Sequence, residues 1–127
     1  MVSVDTNVLV RFLTRDDRAQ AARAEALFGS EGMFIATTVL LETEWVLRSV
    51  FEFEDGPVME SLGKLAGLPN VHVEDPDRLA RALKWRADGI DFADALHIAA
   101  AGNDFRTFDE RLAKRARRAG IGSVRMV

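Results

Sequence analysis

A chain of 127 residues with 48% hydrophobic and 29% charged side chains is too charged for a membrane bundle and too apolar for a disordered segment. Its length predicts one domain, spanning residues 1–127, that buries roughly two-thirds of its unfolded surface. The absence of cysteine excludes disulfide frameworks, zinc ribbons and thiol nucleophiles.

No apolar run reaches the roughly 18 residues that a spanning helix needs, and the opening lacks the basic-then-apolar layout of a signal peptide, so a cytoplasmic protein is expected. The net charge of −3 is unevenly spread. Arg106 to Arg125 holds seven basic residues against Asp109 and Glu110, a local +5 that leaves −8 on the residues before it. Such a tail suggests a polyanion or an acidic partner helix, with a solvated final helix as the plain alternative.

Val2 to Val4 is predicted as a first strand that stops on Asp5. Asn7 to Leu13 reads as a short helix. Asp16 or Asp17 caps a second helix, in which Ala21, Ala24, Leu27 and Phe28 fall at helical spacing. Gly29 and Gly32 end it. Met33 to Ala36 is a second buried strand, followed by Thr37 and Thr38 as cap candidates for a long helix through Val50. Gly56-Pro57 breaks that helix, and Val58 to Leu68 forms the next, with Pro57 suited to its first turn. Asn70 to Val73 is a third strand, and Asp75-Pro76 opens a helix from Asp77 to Ala87. Asp91 caps an almost wholly apolar helix, Phe92 to Ala101. A strand near Phe105 to Phe108 ends on Asp109, which caps a basic helix running to Ala119. Gly120 stops that helix, and Ser123 to Met126 is a last edge strand. Short apolar strands alternating with helices imply a three-layer α/β/α sandwich around a mainly parallel sheet of four to five strands.

Four carboxylates share one topological position. Asp5 ends the first strand, Glu42 is expected in the first turn of the helix after the second, Asp94 in the first turn of the helix begun by Asp91, and Asp109 at the end of a later strand. Each has a structural explanation, because acids favour N-caps and first turns by about 0.3–1 kcal/mol. Jointly they say more. In a parallel sheet the helices after strands start at one edge, where open α/β sheets bind their ligands. Carboxylates gathered there repel one another unless a cation neutralises them. Oxygen ligands without paired His or Cys suit Mg²⁺ or Mn²⁺, which activate water and stabilise a phosphodiester in in-line displacement.

Asp5-Thr6-Asn7-Val8-Leu9-Val10-Arg11, Glu42-Thr43-Glu44-Trp45-Val46-Leu47, Asp91-Phe92-Ala93-Asp94-Ala95-Leu96-His97-Ile98-Ala99 and Thr107-Phe108-Asp109 resemble, in order and spacing, the motifs of PIN-domain ribonucleases. The nearest likeness is to the VapC toxins of bacterial toxin-antitoxin modules. The resemblance implies a metal-dependent endoribonuclease that leaves 5′-phosphate and 3′-hydroxyl ends, is inhibited by a cognate antitoxin and forms a homodimer. It implies Asp5 and Asp94 as principal ligands of Mg²⁺ or Mn²⁺, with Glu42 and Asp109 binding directly or through water. Thr6, Asn7 and Thr107 match supporting positions, and Asp91 is a cap with an outer role. Glu44 is the rival to Glu42.

His97, one turn after Asp94, reads as a half-buried packing histidine rather than a ligand, and His72 as a lone strand histidine. Trp45 and Trp85 read as core or interface residues rather than base-stacking platforms. Arg106, Arg111, Lys114 and Arg115, together with Arg11, are candidates for holding RNA phosphates. Phe51 and Phe53 suggest a groove for an antitoxin helix or a simple tertiary contact. A phosphatase of the haloacid-dehalogenase type would need a second aspartate where Asn7 stands, and lysines occur only at 64, 84 and 114. A non-catalytic PIN-like module that binds RNA or protein is the other alternative.

Overall fold

A computed structural model describes residues 1–127 and gives an α/β fold in which every strand pairing is parallel. The chain forms two compact units, Met1–Pro76 and Asp77–Val127. In the first, β1 (Val2–Ser3), α1 (Thr6–Thr14), α2 (Arg18–Ser30), β2 (Met33–Ile35), α3 (Thr37–Ser49), α4 (Asp55–Ala66) and β3 (Val71–Val73) succeed one another in order. The second holds α5 (Pro76–Ala87), α6 (Phe92–Ala100), β4 (Phe105–Thr107), α7 (Glu110–Arg118) and β5 (Val124–Met126). The strands are hydrogen-bonded as two ladders, β1-β2-β3 and β4-β5. Strands of two or three residues leave few ladder groups at their edges.

In the first unit Val2 pairs with Met33 and Met33 with Val71, so the three strands start at one level and end within one residue of each other. Alternation puts Met33 and Ile35 in the core and leaves Phe34 half-buried. Leu9 and Val10 of α1, Leu40 and Leu47 of α3 and Leu62 and Leu65 of α4 complete this core. The Phe12 and Phe28 rings stack at 4.1 Å and join α1 to α2. In the second unit Phe105 pairs with Val124. Phe92, Ala95, Leu96, Ile98 and Ala99 bury most of α6, while α7 buries only Leu112, Ala113 and Ala116.

Several boundaries differ from expectation. Asp17, not Asp16, caps α2 by accepting from the Gln20 N–H at 3.0 Å, because Asp16 is engaged by Arg11 at 2.9 Å. Gly29 lies within α2, which continues to Ser30. Neither Thr37 nor Thr38 caps α3. Its N-cap is Ala36, and the Thr37 N–H donates instead to Glu74 Oε1 at 3.2 Å, an acid delivered by the residue after β3. Gly56-Pro57 does not break α3, which has ended at Ser49. The reversal is made at Glu52, in left-handed backbone at φ 58, and Gly56 and Pro57 lie in the first turn of α4. Gly120 stops α7 as expected, at φ 79.

Candidate active site

Asp5 comes after β1 in extended backbone and is the N-cap of α1. Its Oδ1 accepts from the Val8 N–H at 3.2 Å, so capping uses one carboxylate oxygen and leaves the other, on an exposed side chain, for a further partner. Thr6 is buried at the first position of the helix, and its hydroxyl donates to Glu42 Oε1 in the first turns of α3. That bond joins the end of β1 to the helix after β2, across 36 residues of sequence. Parallel pairing of β1 with β2 is what brings the two junctions level.

Glu42 and Glu44 differ in orientation and in partner. Glu44 is 2% exposed and held by Arg48 in a forked pair, Nε to Oε2 at 2.7 Å and Nη2 to Oε1 at 3.0 Å, a buried charge with a structural partner. Glu42 is exposed. Asn7 is exposed too and its side chain makes no hydrogen bond; with Asp5 it lines a hollow of about 480 Å³ that runs along α1 and α2. Arg23 forms a wall of this hollow and makes no ion pair. Sequence reading missed it, because in one dimension it is one of several charges on the polar face of α2.

In the second unit, Asp91 occupies the N-cap position of α6 but its side chain makes no cap bond, so it caps by backbone alone. Asp94, in the first turn, is half-buried and accepts no hydrogen bond. Burial pushes its carboxyl above the usual range, with the Asp91 charge and then the Asp109 charge adding to the rise and His97 opposing it. Asp94 therefore lies within electrostatic reach of both other acids. Asp109 caps α7 through Oδ1, which accepts from the Leu112 N–H at 3.1 Å, and its own N–H donates to Thr107 Oγ1 at 2.9 Å. Thr107 thus shapes the turn that presents Asp109 and does not touch its carboxylate. His97 is exposed, not packed, since the helix turns it away from the face formed by Ala95, Leu96 and Ile98.

The basic candidates divide. Arg11 is held by Gln20 at 2.7 Å and Asp16 at 2.9 Å, and Arg106 is forked onto Asp104 at 2.6 and 3.1 Å. Arg111, Lys114 and Arg115 are exposed on α7 and have no ion pair. Trp45 is not in the core, being 54% exposed, and Trp85 is half-buried with Arg81 over its ring. Phe51 and Phe53 stack on each other at 6.0 Å, and Phe53 borders a hollow of about 230 Å³ with Leu13, Leu47, Pro57 and Val58.

No three acidic or histidine side chains form a ready cage for a metal ion. Mg²⁺ does not need one: it keeps several waters and takes one or two carboxylates. Asp94, without a hydrogen bond and beside two acids, suits that sparse ligation, as do the second oxygens of Asp5 and Asp109.

Parallel strands followed by helices, with Asp5 capping the helix after β1 in the first unit and Asp109 the helix after β4 in the second, define an α/β protein with acids at its strand-to-helix turns. The PIN domain family matches residues 2–118, and the chain belongs to that family. PIN domains are in general metal-dependent nucleases. The chain has no significant match among curated proteins or solved structures. No helix is long and apolar enough to cross a membrane.

Proposed function

We propose that the protein is an endoribonuclease toxin of the VapC type, which hydrolyses RNA phosphodiester bonds with Mg²⁺ or Mn²⁺ and is silenced by a cognate antitoxin. The observation that carries this reading is Asp94, a half-buried carboxylate with no hydrogen bond, set against Asp91 and Asp109. An arrangement that raises the free energy of an ionised acid with no structural return is what a cation site requires.

Asp5 and Asp94 would hold the ion, with Glu42 and Asp109 contributing directly or through water. When bound, it lowers the pKa of water and offsets charge developing on the phosphodiester. The chain's own residues do the positioning. The Thr6 hydroxyl holds the Glu42 carboxylate, and the Thr107 hydroxyl fixes the turn at Asp109. Arg111, Lys114 and Arg115 would attract the RNA backbone, with Arg11 and Arg106 available only if they exchange their present acids for phosphate. The hollow beside Phe53 would receive an apolar antitoxin helix, and the exposed Trp45 would lie in a homodimer contact.

Purified Asp5→Asn and Asp94→Asn proteins are expected to stay folded and lose RNA cleavage. Undiminished cleavage by either would refute the site. A metal titration separates this reading from a non-catalytic binding module. Mn²⁺ at about 100 times its dissociation constant adds about 2.7 kcal/mol to the stability of a protein that binds it, and a module without the site gains nothing.

A further inference from the structure

Phe108 is 82% exposed, more than any other large apolar side chain in the protein. Single exposed hydrophobic residues are ordinary, but this one stands between Thr107, whose hydroxyl accepts from the Asp109 N–H, and Asp109, which caps α7. Core was at hand: α7 buries Leu112, Ala113 and Ala116 a few residues on, and α6 is apolar along most of its length. The ring nevertheless stays in water at the carboxyl end of β4.

The helix beyond the ring is equally unusual. Arg111, Lys114, Arg115 and Arg118 are exposed at spacings of three and four, which lays them along one side of α7 opposite its buried face. None has an ion pair, whereas Arg11, Arg15 and Arg106 elsewhere are all engaged by acids. A helix rises about 5.4 Å per turn, so the cations recur at a spacing comparable to the phosphate repeat of an extended single strand. An exposed aromatic ring at the head of a cationic track is the combination by which proteins hold single-stranded nucleic acid, with a base on the ring and phosphates on the charges.

We propose that Phe108 is a base-stacking platform for single-stranded RNA, holding the nucleotide beside the acidic site while the strand's phosphates run along Arg111, Lys114, Arg115 and Arg118. The assignment rests on the ribonuclease reading and names the side chain that would hold an unpaired base, because only an unstacked base can cover the ring. It is sequence-tolerant, since every base has a π-face.

The test measures binding of labelled oligouridylate, and of its abasic counterpart, to the full chain carrying Asp94→Asn so that the RNA stays intact. Phe108→Ala is expected to weaken oligouridylate binding by roughly tenfold to a hundredfold, to leave binding of the abasic strand unchanged, and to leave the salt dependence unchanged. Phe108→Trp restores affinity. Replacing Arg111 and Arg115 together by alanine instead lowers the slope of log affinity against log salt by about 1.4, at about 0.7 per phosphate contact. Equal affinity of Phe108→Ala and its parent, or an equal loss on the abasic strand, overturns the proposal. So does a change in sedimentation mass with Phe108→Ala, which would make the ring a contact between copies. Cleavage by the unmodified chain is scored separately. A protein that cuts no RNA but needs Phe108 to bind it keeps the platform and loses the nuclease reading, while one that cuts RNA and ignores Phe108→Ala does the reverse.

Discussion

Replacing Thr6 by valine exchanges one hydroxyl for a methyl group of nearly the same shape and removes the donor that holds Glu42. Thr6 is 8% exposed, so packing around the new methyl is preserved. A hydrogen bond to a charged group contributes about 1.5–3 kcal/mol, but Glu42 is exposed and water takes over as its donor. The expected loss of stability is therefore about 1 kcal/mol, a fall in Tm of roughly 2–5 °C for a chain of this size. Under the proposed ribonuclease reading, in which Glu42 serves the metal, the effect on cleavage should be larger, because losing a hydrogen bond that orients such a ligand costs roughly 10–100-fold.

A double-mutant cycle isolates the bond. Thermal unfolding and single-turnover RNA cleavage are measured for Thr6→Val, Glu42→Ala and the pair. If Thr6 acts through Glu42, Thr6→Val does nothing further once Glu42 is gone, and the coupling lies within about 0.5–3 kcal/mol. Additivity in both stability and log rate, to within about 0.3 kcal/mol, would show that the hydroxyl does not position the acid.

The raised carboxyl of Asp94 fixes a pH dependence. Its folded pKa lies above the unfolded one, so the neutral form's stabilisation is complete below the unfolded value of 3.8 and is lost as pH climbs through the folded value. In chelator, stability should fall across that window; Asp94→Asn should remove the fall, and Mn²⁺ should reverse it in the parent chain only. A rise in stability across the window in chelator would contradict the cause assigned to the shift. Glu44→Gln breaks the forked pair with Arg48 and is expected to cost about 2 kcal/mol, below the 3–5 of a fully buried pair because Arg48 is 32% exposed. Its Mn²⁺ stabilisation should stay intact, and loss of that response would restore Glu44 as a ligand. Thr43 is fully buried with a hydroxyl that has no partner. Thr43→Val should therefore stabilise the protein by about 1 kcal/mol, readable as a higher urea midpoint.

The composition, the alternation of short apolar runs with helical spacing, and the placing of Asp5, Asp94 and Asp109 at helix starts were legible in one dimension, whereas Glu42, expected in the first turn of α3, lies one turn further on. Those signals depend on periodicity and on the chemistry of a few neighbouring residues. They were enough for an α/β fold with parallel pairing, for the cap at Asp109, for a cap at Asp16 or Asp17, of which Asp17 serves, and for PIN family membership. Only the folded chain decided which polar groups meet across long separations. Nothing local announces that Glu74 rather than Thr37 serves the start of α3, that Thr6 reaches Glu42 while Glu44 turns inward to Arg48, or that Arg106 is paired while α7's arginines are free. Phe108 illustrates the same limit: its sequence context marks it as the apolar end of a strand, and burial, which depends on the surrounding elements, leaves it in solvent. Hydrophobic period is a property of the chain, whereas pairing and exposure are properties of the neighbours that folding supplies.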